Sequence, residues 1–274
     1  LEELYEKEKP DMVLVYGDTN STLAGALCAS KLLIPVAHIE AGLRSFNMNM
    51  PEEQNRILTD HISKYLFVPT TSAVKNLSNE GITSGVYNVG DVMYDATLDF
   101  LKLSKEKSKI MKELNLKQEE FILATIHRAE NTNDINKLKN IIEALNESGQ
   151  QIILPLHPRT KKYMDDYNLS FNSNVKIIDP VGYLEMISLE MYCRKIITDS
   201  GGVQKEAFFM NKPCITIRDE TEWIETVENG WNIVVGTDKA KILDGILNFV
   251  PNKARQNIFG DGHAAEKILK ILNK

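Results

Sequence analysis

The sequence predicts an α/β protein with two doubly wound parallel sheets. Short, continuous apolar runs alternate with longer amphipathic segments along nearly the whole chain. This alternation is typical of strands that are buried on both faces beneath covering helices. A Lys- and Glu-rich stretch interrupts it once, after residue 94, and the 274 residues suffice for two domains of ordinary size. We therefore expect one domain over residues 1–94 and a second over residues 95–252.

In the first series, each apolar run is followed by a turn signal and a helical pattern. Gly17 ends the first run, and Glu52 and Glu53 open the second helix, where the macrodipole favours acidic residues. The expected strands are Met12–Tyr16, Pro35–Ile39, Tyr65–Pro69 and Val86–Val89, and the expected helices are Ser21–Lys31, Pro51–Lys64 and Ser72–Glu80.

The second series begins with a connecting helix over residues 95–118, anchored by Leu98, Leu101 and Leu103. Strands are expected at Phe121–Thr125, Gln151–Leu156, Val175–Ile178, Lys195–Thr198, Cys214–Ile217 and Asn232–Gly236, and helices at Asp134–Ser148, Tyr183–Tyr192 and Gly202–Met210. An amphipathic pattern over Ala264–Leu272 predicts a terminal helix within residues 253–274, which we expect to pack back on the first domain.

Composition and charge exclude several classes of protein. The chain has 32 Lys and Arg against 38 Asp and Glu, and its net charge of −6 argues against a nucleic-acid binder, which needs a basic face. No apolar run approaches the roughly 18 residues that span a bilayer, and the acidic start of the chain is unlike a signal peptide. Three widely spaced cysteines support neither a disulfide framework nor a zinc site. We expect Cys28 and Cys214 to be buried reduced thiols, which fits a cytoplasmic protein. We also expect neither a membrane partner nor a bound metal.

The clearest signal for chemistry is a strand that runs into Ser200, Gly201 and Gly202, where a helix begins. The glycines let a ligand approach the backbone, and N–H groups at a helix start favour an anion such as phosphate. Ser200 can cap the helix or bind a phosphate oxygen, so a tight, capped turn is the alternative. Glu206, one turn further on, can accept hydrogen bonds from sugar hydroxyls or be an ordinary exposed helix residue.

A second signal is a set of carboxylates at strand ends and loop starts. Asp18 follows the first strand, Glu40 follows the second, and Glu52 opens the next helix. Parallel strands end at the same edge of a sheet, so Asp18 and Glu40 are expected to converge. Paired carboxylates can divide the acid and base roles of one reaction. A turn or capping residue is the alternative for Asp18, and a dipole-favoured acid is the alternative for Glu52.

A third signal is His127 with Arg128, directly after the first strand of the second series. His127 can act as an acid or base or donate a hydrogen bond to phosphate, and Arg128 supplies a planar cation at the same edge. The other histidines are interpreted as structural or surface residues: His38, His61, His157 and His263.

Together these motifs resemble those of the non-hydrolysing UDP-N-acetylglucosamine 2-epimerase family. The resemblance covers essentially the whole chain and rests on five motifs in order: Gly17–Thr19, His38–Arg44, Pro51–Arg56, His127–Asn131 and Asp199–Glu206. It implies the GT-B fold of two Rossmann-like domains, with a UDP-sugar in the interdomain cleft. It also implies that no nicotinamide or other cofactor is needed, and a homodimer is a further expectation.

The resemblance implies inversion at sugar carbon 2. A base removes the C2 proton while UDP leaves C1, and the 2-acetamidoglucal is then reprotonated on its other face before UDP adds back. By motif position, Asp18, Glu40 and Glu52 match the family's acid and base carboxylates, and His127 matches its diphosphate-side histidine. The matched ligands of the UDP-sugar are Arg44, Arg128, Ser200, Gly201, Gly202 and Glu206.

Two departures from the family pattern leave alternatives open. Trp223 stands where the family commonly has a cation, so an epimerase of a modified UDP-sugar, such as a 2,3-diacetamido uronic acid, is one alternative. The family's first strand and its Gly-Thr-Arg-Pro-Glu loop have no match, so we expect a first domain that lacks about 75–80 residues, judged against the typical domain size. The remaining alternatives are a hydrolysing 2-epimerase, a GT-B glycosyltransferase and a catalytically impaired UDP-binding fragment.

Overall fold

Two parallel sheets organise the chain in the computed structural model, which describes residues 1–273. Residues 1–96 and 257–274 form the first unit around a four-stranded sheet, and residues 97–256 form the second unit around a six-stranded sheet. The predicted α/β class with two parallel sheets is therefore confirmed.

The sheet of the first unit runs in the order β1-β2-β3-β4, and all its strands are parallel. Its strands are β1 (Val13–Tyr16), β2 (Val36–Ile39), β3 (Tyr65–Val68) and β4 (Val86–Asn88). Its helices are α1 (Glu2–Glu8), α2 (Asn20–Lys31), α3 (Pro51–Ile62) and α4 (Thr71–Asn79), together with the start of α5 (Val92–Lys107) and the terminal α14 (Ala264–Leu272). The terminal helix buries Ala264 and Ile268 against Ile39 of β2 and Phe67 of β3.

The sheet of the second unit has the order β10-β9-β8-β5-β6-β7, also all parallel. Its strands are β5 (Ile122–Thr125), β6 (Ile152–Pro155), β7 (Val175–Ile178), β8 (Lys195–Thr198), β9 (Cys214–Thr216) and β10 (Asn232–Val234). The strand order reverses between β5 and β8. In open α/β sheets this reversal opens a crevice at the carboxyl ends of the strands, where ligands bind.

Helices cover both faces of this second sheet. Alternate residues along β5 point to opposite faces, so Ile122 and Ala124 join one apolar cluster, while Leu123 joins the other together with Phe121, which precedes the strand. The helices are α6 (Ile110–Glu113), α7 (Ala129–Thr132), α8 (Ile135–Glu147), α9 (Pro158–Asp166), α10 (Tyr183–Tyr192), α11 (Gly201–Phe209), α12 (Ile224–Glu228) and α13 (Lys239–Asn248).

Several expectations for individual elements were wrong. The connecting helix over 95–118 is two helices, because Ile110 turns into the core beside Phe121 and Leu123 and α5 ends at Lys107. Helices α9 and α13 were missed, although the sequence signals a start for each. His157 caps α9 ahead of Pro158, and Asp238 caps α13. Cys28 is partly buried, whereas Cys193 and Cys214 are fully buried.

Within residues 1–273, no helix combines the length and the apolar character needed to cross a membrane.

Candidate active site

The carboxyl ends of β1 and β2 bring the Glu40 carboxylate to the turn that carries Asp18. Gly17 and Glu40 follow these strands, and both adopt left-handed backbone conformations, with φ of +61° and +73°. The Glu40 carboxylate lies over Gly17, since a Cβ built on Gly17 would be only 3.4 Å from Glu40 Oε2. Left-handed backbone costs a non-glycine residue about 1–2 kcal/mol, so the fold holds Glu40 beside the Gly17-Asp18 turn against a local penalty.

An arginine on α3 fixes the position of Asp18. Arg56 Nε and Nη2 donate to Asp18 Oδ2 at 2.9 and 2.8 Å, and Asn55 donates to the Asp18 carbonyl. Burial alone would lower the pKa of Arg56, but the Asp18 and Glu53 carboxylates raise it above its ordinary value. Arg56 therefore stays charged and keeps the Asp18 side chain in one orientation.

Glu52 and Glu53, adjacent at the start of α3, have opposite environments. Glu53 is fully buried and accepts hydrogen bonds from Ser45 N, Phe46 N and Arg56 Nη1 at 2.9, 2.8 and 2.6 Å. Burial raises the pKa of Glu53, but these donors outweigh that effect and leave it below its ordinary value. Glu52 is exposed and, within the described residues, has no hydrogen bond or ion pair. In the part of the chain that the structure describes, no hydrogen bond or ion pair connects Glu52 to Asp18 or Glu40.

A buried network connects β2 to α3 and α4 beneath this edge. His38 Nδ1 lies 2.7 Å from Asp60 Oδ1, and His38 Nε2–H donates to the Gly17 carbonyl at 2.8 Å. Asp60 also accepts from Gly42 N at 3.1 Å and from Arg44 Nη1 at 2.7 Å. The network thus ties the backbone of the Gly17-Asp18 turn to the protein interior.

Arg44 belongs to this network, and its contacts favour a positioning role. It makes four hydrogen bonds, to Leu43 O, to Asp60 and to both oxygens of Glu80. Its side chain is 1% exposed. Its assignment as a substrate ligand stays a prediction, because these bonds use four of its five N–H donors and its side chain is almost completely buried.

At the switch point of the second sheet, Asp199 organises the loop after β5. This buried carboxylate accepts from the backbone N–H groups of His127 and Arg128 at 3.0 Å and from Asn131 Nδ2 at 3.1 Å. His127 Nδ1 lies 3.2 Å from Asp199 Oδ1. Partial burial lowers the pKa of His127, as do the His157, Arg128 and Arg159 side chains, while Asp199 opposes the shift. The structure thus brings His127 and Arg128 to the turn that holds Ser200.

The loop after β8 has both features that the sequence predicted as alternatives, a capped helix start and backbone N–H groups that can bind an anion. Ser200 caps α11, because its Oγ accepts from Val203 N at 3.4 Å, and its own N–H donates to Thr198 Oγ1 at 2.9 Å. A Cβ at Gly201 would collide with the Glu222 carboxylate, so a larger residue there would require the Glu222 side chain to move. The N–H groups at the start of the nine-residue helix α11 lack helical partners, as an anion site requires.

Glu206 is buried, at 4% exposure, so its interpretation as an exposed helix residue is wrong. Tyr183 OH donates to Glu206 Oε1 at 2.6 Å. Tyr183 comes from α10, which packs beside α11, and sequence reasoning did not single it out.

Trp223 lies in the loop between β9 and α12, where a cation was expected from the resemblance. It is 4% exposed, and the Lys205 ammonium lies 4.2 Å from the centre of its indole ring. Arg218 Nη1 pairs with Glu222 at 2.8 Å in the same loop. The position of the missing cation is therefore occupied by an aromatic ring with a lysine over it.

The four histidines interpreted as structural or surface residues are found in the interior or at the surface. His38 is fully buried and bonded through both ring nitrogens, whereas His61, His157 and His263 are exposed. Among residues 1–273, no group of three His, Cys, Asp or Glu side chains could hold a metal ion.

Asp199→Asn is expected to lower the free energy of unfolding by about 1–3 kcal/mol. All three donors share Asp199 Oδ2, so the amide oxygen must take that position, and its NH2 group then replaces Oδ1, which lies 3.1 Å from His127 N. The loop loses a buried negative charge, and two donors face each other. Urea denaturation of the variant measures the effect. Asp219→Asn is the control, because the Asp219 side chain is 75% exposed, and it should leave stability unchanged. Equal stability of the two variants would contradict the organising role of Asp199.

A glycine-rich helix start lies at the switch point of one parallel sheet, and carboxylates lie at the strand ends of the other. Helix starts at such switch points are typical of proteins that bind phosphate-bearing ligands such as nucleotides. The family model described as UDP-N-acetylglucosamine 2-epimerase matches residues 1–273. The chain belongs to this family of isomerases, which confirms the resemblance drawn from its motifs.

Three relatives illustrate the match. A UDP-N-acetylglucosamine 2-epimerase homolog of Methanococcus maripaludis is 58% identical, over 99% of this chain and 78% of the relative. The UDP-2,3-diacetamido-2,3-dideoxy-D-glucuronate 2-epimerase of Pseudomonas aeruginosa is 50% identical, over 100% of this chain and 78% of the relative. The crystal structure of the Methanocaldococcus jannaschii UDP-GlcNAc 2-epimerase with UDP-GlcNAc and UDP superposes with a TM-score of 0.88 at 49% identity, over 99% of this chain and 78% of that one. The predicted GT-B fold is thereby confirmed.

Proposed function

We propose that the protein inverts C2 of a UDP-N-acetylhexosamine, of the UDP-GlcNAc to UDP-ManNAc type, by eliminating and re-adding UDP. The observation that carries this proposal is the convergence of Glu40 on the Gly17-Asp18 turn in a chain of the epimerase family. The C2 proton is not acidic, so the reaction needs a positioned base, an acid for the other face and stabilisation of the departing diphosphate.

In the first half of the reaction, a base takes the C2 proton and the C1–O bond breaks. A double bond forms between C1 and C2, and UDP leaves with the electron pair of the C1–O bond. In the second half, a proton returns to the opposite face of C2, and a UDP oxygen adds to C1. We assign the proton transfers to Asp18, Glu40 and Glu52. The Arg56 ion pair supports this assignment for Asp18, because it holds the carboxylate in one orientation.

We assign the UDP to the second unit. The N–H groups at the start of α11, with Ser200, Gly201 and Gly202, suit a diphosphate, since a helix N-terminus attracts anions. His127 and Arg128 reach the same turn through Asp199 and would stabilise the charge on departing UDP. Glu206 is assigned to the ribose hydroxyls.

Incubation of the protein with UDP-GlcNAc in deuterated water tests the proposal. We expect deuterium at C2 of the recovered UDP-GlcNAc and of newly formed UDP-ManNAc. A protein that binds UDP but incorporates no deuterium would contradict the proposal. Release of free sugar would instead identify a hydrolysing epimerase, and turnover that requires an acceptor would identify a transferase. The homodimer implied by the resemblance stays a prediction, which the mass in solution tests.

A second candidate substrate is a UDP-2,3-diacetamido uronic acid. It is favoured by the 50% identity to an epimerase of that sugar. The same deuterium assay with this sugar compares the two candidates. The substrate with the larger kcat/KM is the better assignment.

A further inference from the structure

Glu190, on α10, is a carboxyl group that the proposed reaction leaves without a role. It is fully buried, and within the described residues neither of its oxygens receives a hydrogen bond from an N–H or O–H donor. An ionised carboxylate without donors is strongly disfavoured in such a place. Glu190 is therefore held as the neutral acid, with one O–H to donate.

The acceptor that faces this O–H is Glu206. The two carboxyl groups lie within hydrogen-bonding reach of each other, on the neighbouring helices α10 and α11. Two buried carboxylates at this separation cannot both be charged, so the pair shares a proton. Burial and the neighbouring Glu206 raise the pKa of Glu190 well above its ordinary value.

The shared proton belongs on Glu190 because of what else surrounds Glu206. Glu206 accepts a hydrogen bond from Tyr183 OH and lies near the Lys205 ammonium, and both favour its ionised form. Glu190 has neither partner. Burial and the hydrogen bond to Glu206 raise the pKa of Tyr183, so that the phenol remains a donor.

We propose that Glu190 is a positioning residue, which donates its proton to Glu206 and fixes the Glu206 carboxylate as the acceptor for the ribose hydroxyls of UDP. This proposal rests on the proposed function, which gives Glu206 that ligand. Tyr183 is 41% exposed, whereas Glu190 is fully buried. Glu190 is therefore the partner of Glu206 that a ligand cannot reach or replace.

Two substitutions distinguish the hydrogen bond that Glu190 donates from the volume that its side chain fills. Glu190→Gln keeps an N–H donor of the same length, and Glu190→Met fills a similar volume without a donor. The measured quantity is the ratio of the dissociation constants for 2′-deoxy-UDP and UDP, because this ratio cancels effects on the shared uracil and diphosphate. We expect Glu190→Gln to keep the wild-type ratio. Glu190→Met should weaken UDP binding about five- to tenfold, the equivalent of one hydrogen bond, and leave 2′-deoxy-UDP binding unchanged.

The pH dependence of this ratio distinguishes positioning from a structural role. As the pH rises through the raised pKa of the pair, wild-type protein loses the shared proton, the two carboxylates repel, and the preference for UDP falls. Glu190→Gln has no such proton and should keep its preference. The groups around Glu190 that also carry or lose charge are Glu206, Tyr183, Cys193 and Cys214, with Lys205 next to Glu206. These groups are the same in the wild-type protein and in Glu190→Gln, so they do not account for a difference in pH dependence between the two.

The outcomes are distinct from those of the deuterium assay. The positioning role is overturned if Glu190→Met keeps the wild-type preference for UDP, or if it weakens both nucleotides equally. It is also overturned if wild-type protein itself does not distinguish UDP from 2′-deoxy-UDP. Loss of the preference in Glu190→Met alone supports it, even where no deuterium enters C2 and the proposed epimerisation fails.

Discussion

Glu52→Gln is expected to reduce deuterium exchange at C2 by about 10²- to 10⁴-fold, the usual contribution of a positioned acid or base. The amide can neither take nor give the proton. Glu52 is exposed and has no partner among the described residues, so the substitution should change neither the unfolding free energy nor the affinity for UDP. Mass spectrometry of the nucleotide sugar measures the exchange. Unchanged exchange would remove Glu52 from the reaction.

Glu53→Gln is the matched control, one residue along the same helix. Its amide retains one oxygen for the donors Ser45 N, Phe46 N and Arg56, and the negative charge is lost. We therefore expect a clear loss of stability in this variant and none in Glu52→Gln. The lowered pKa of Glu53 gives the sign of the pH effect. Its contribution is present above about pH 4.5, the ordinary pKa, and is lost as the pH falls through the lower value of the folded state.

Asp60→Ala is expected to lower the free energy of unfolding by about 3–5 kcal/mol. The Asp60 carboxylate is 1% exposed and pairs with His38, Arg44 and Gly42 N. Its removal leaves a buried guanidinium with one fewer carboxylate and a buried N–H without an acceptor. Thermal and urea denaturation monitored by circular dichroism measure the loss.

Asp99→Ala serves as the control for Asp60→Ala. The Asp99 side chain is 76% exposed and, among residues 1–273, pairs only with Lys102 on the same helix, so its removal should leave stability unchanged. A loss below about 1 kcal/mol in Asp60→Ala would show that the network is not a stabilising element of the first unit.

The parallel α/β fold was predictable because continuous apolar strands and their turn signals are local in the sequence. The strand predicted at Lys195–Thr198 and the helix predicted at Tyr183–Tyr192 match the structure at both ends. The connecting helix was mispredicted because Ile110 turns into the core beside Phe121, which is a tertiary contact that no local pattern reports.

The candidate site was predictable at its strand ends and less so on its helices. Asp18 and Glu40 were expected to converge because parallel strands end at one edge. The partners Glu53 and Arg56 were missed, although their i,i+3 spacing places them on one helical face. The burial of Glu206 and Glu190 was not predictable, because it depends on the packing of α10 against α11.

The position of the terminal helix has a consequence for synthesis. Ile268 packs with Ile39 in one core cluster, although about 230 residues separate them in the chain. At about 5–20 residues per second, a ribosome needs on the order of 10–50 s to add that length of chain. The second unit is continuous and is complete before α14 exists. The nascent first sheet must therefore remain partly uncovered while its neighbour folds, and this is the interval in which chaperones would bind it.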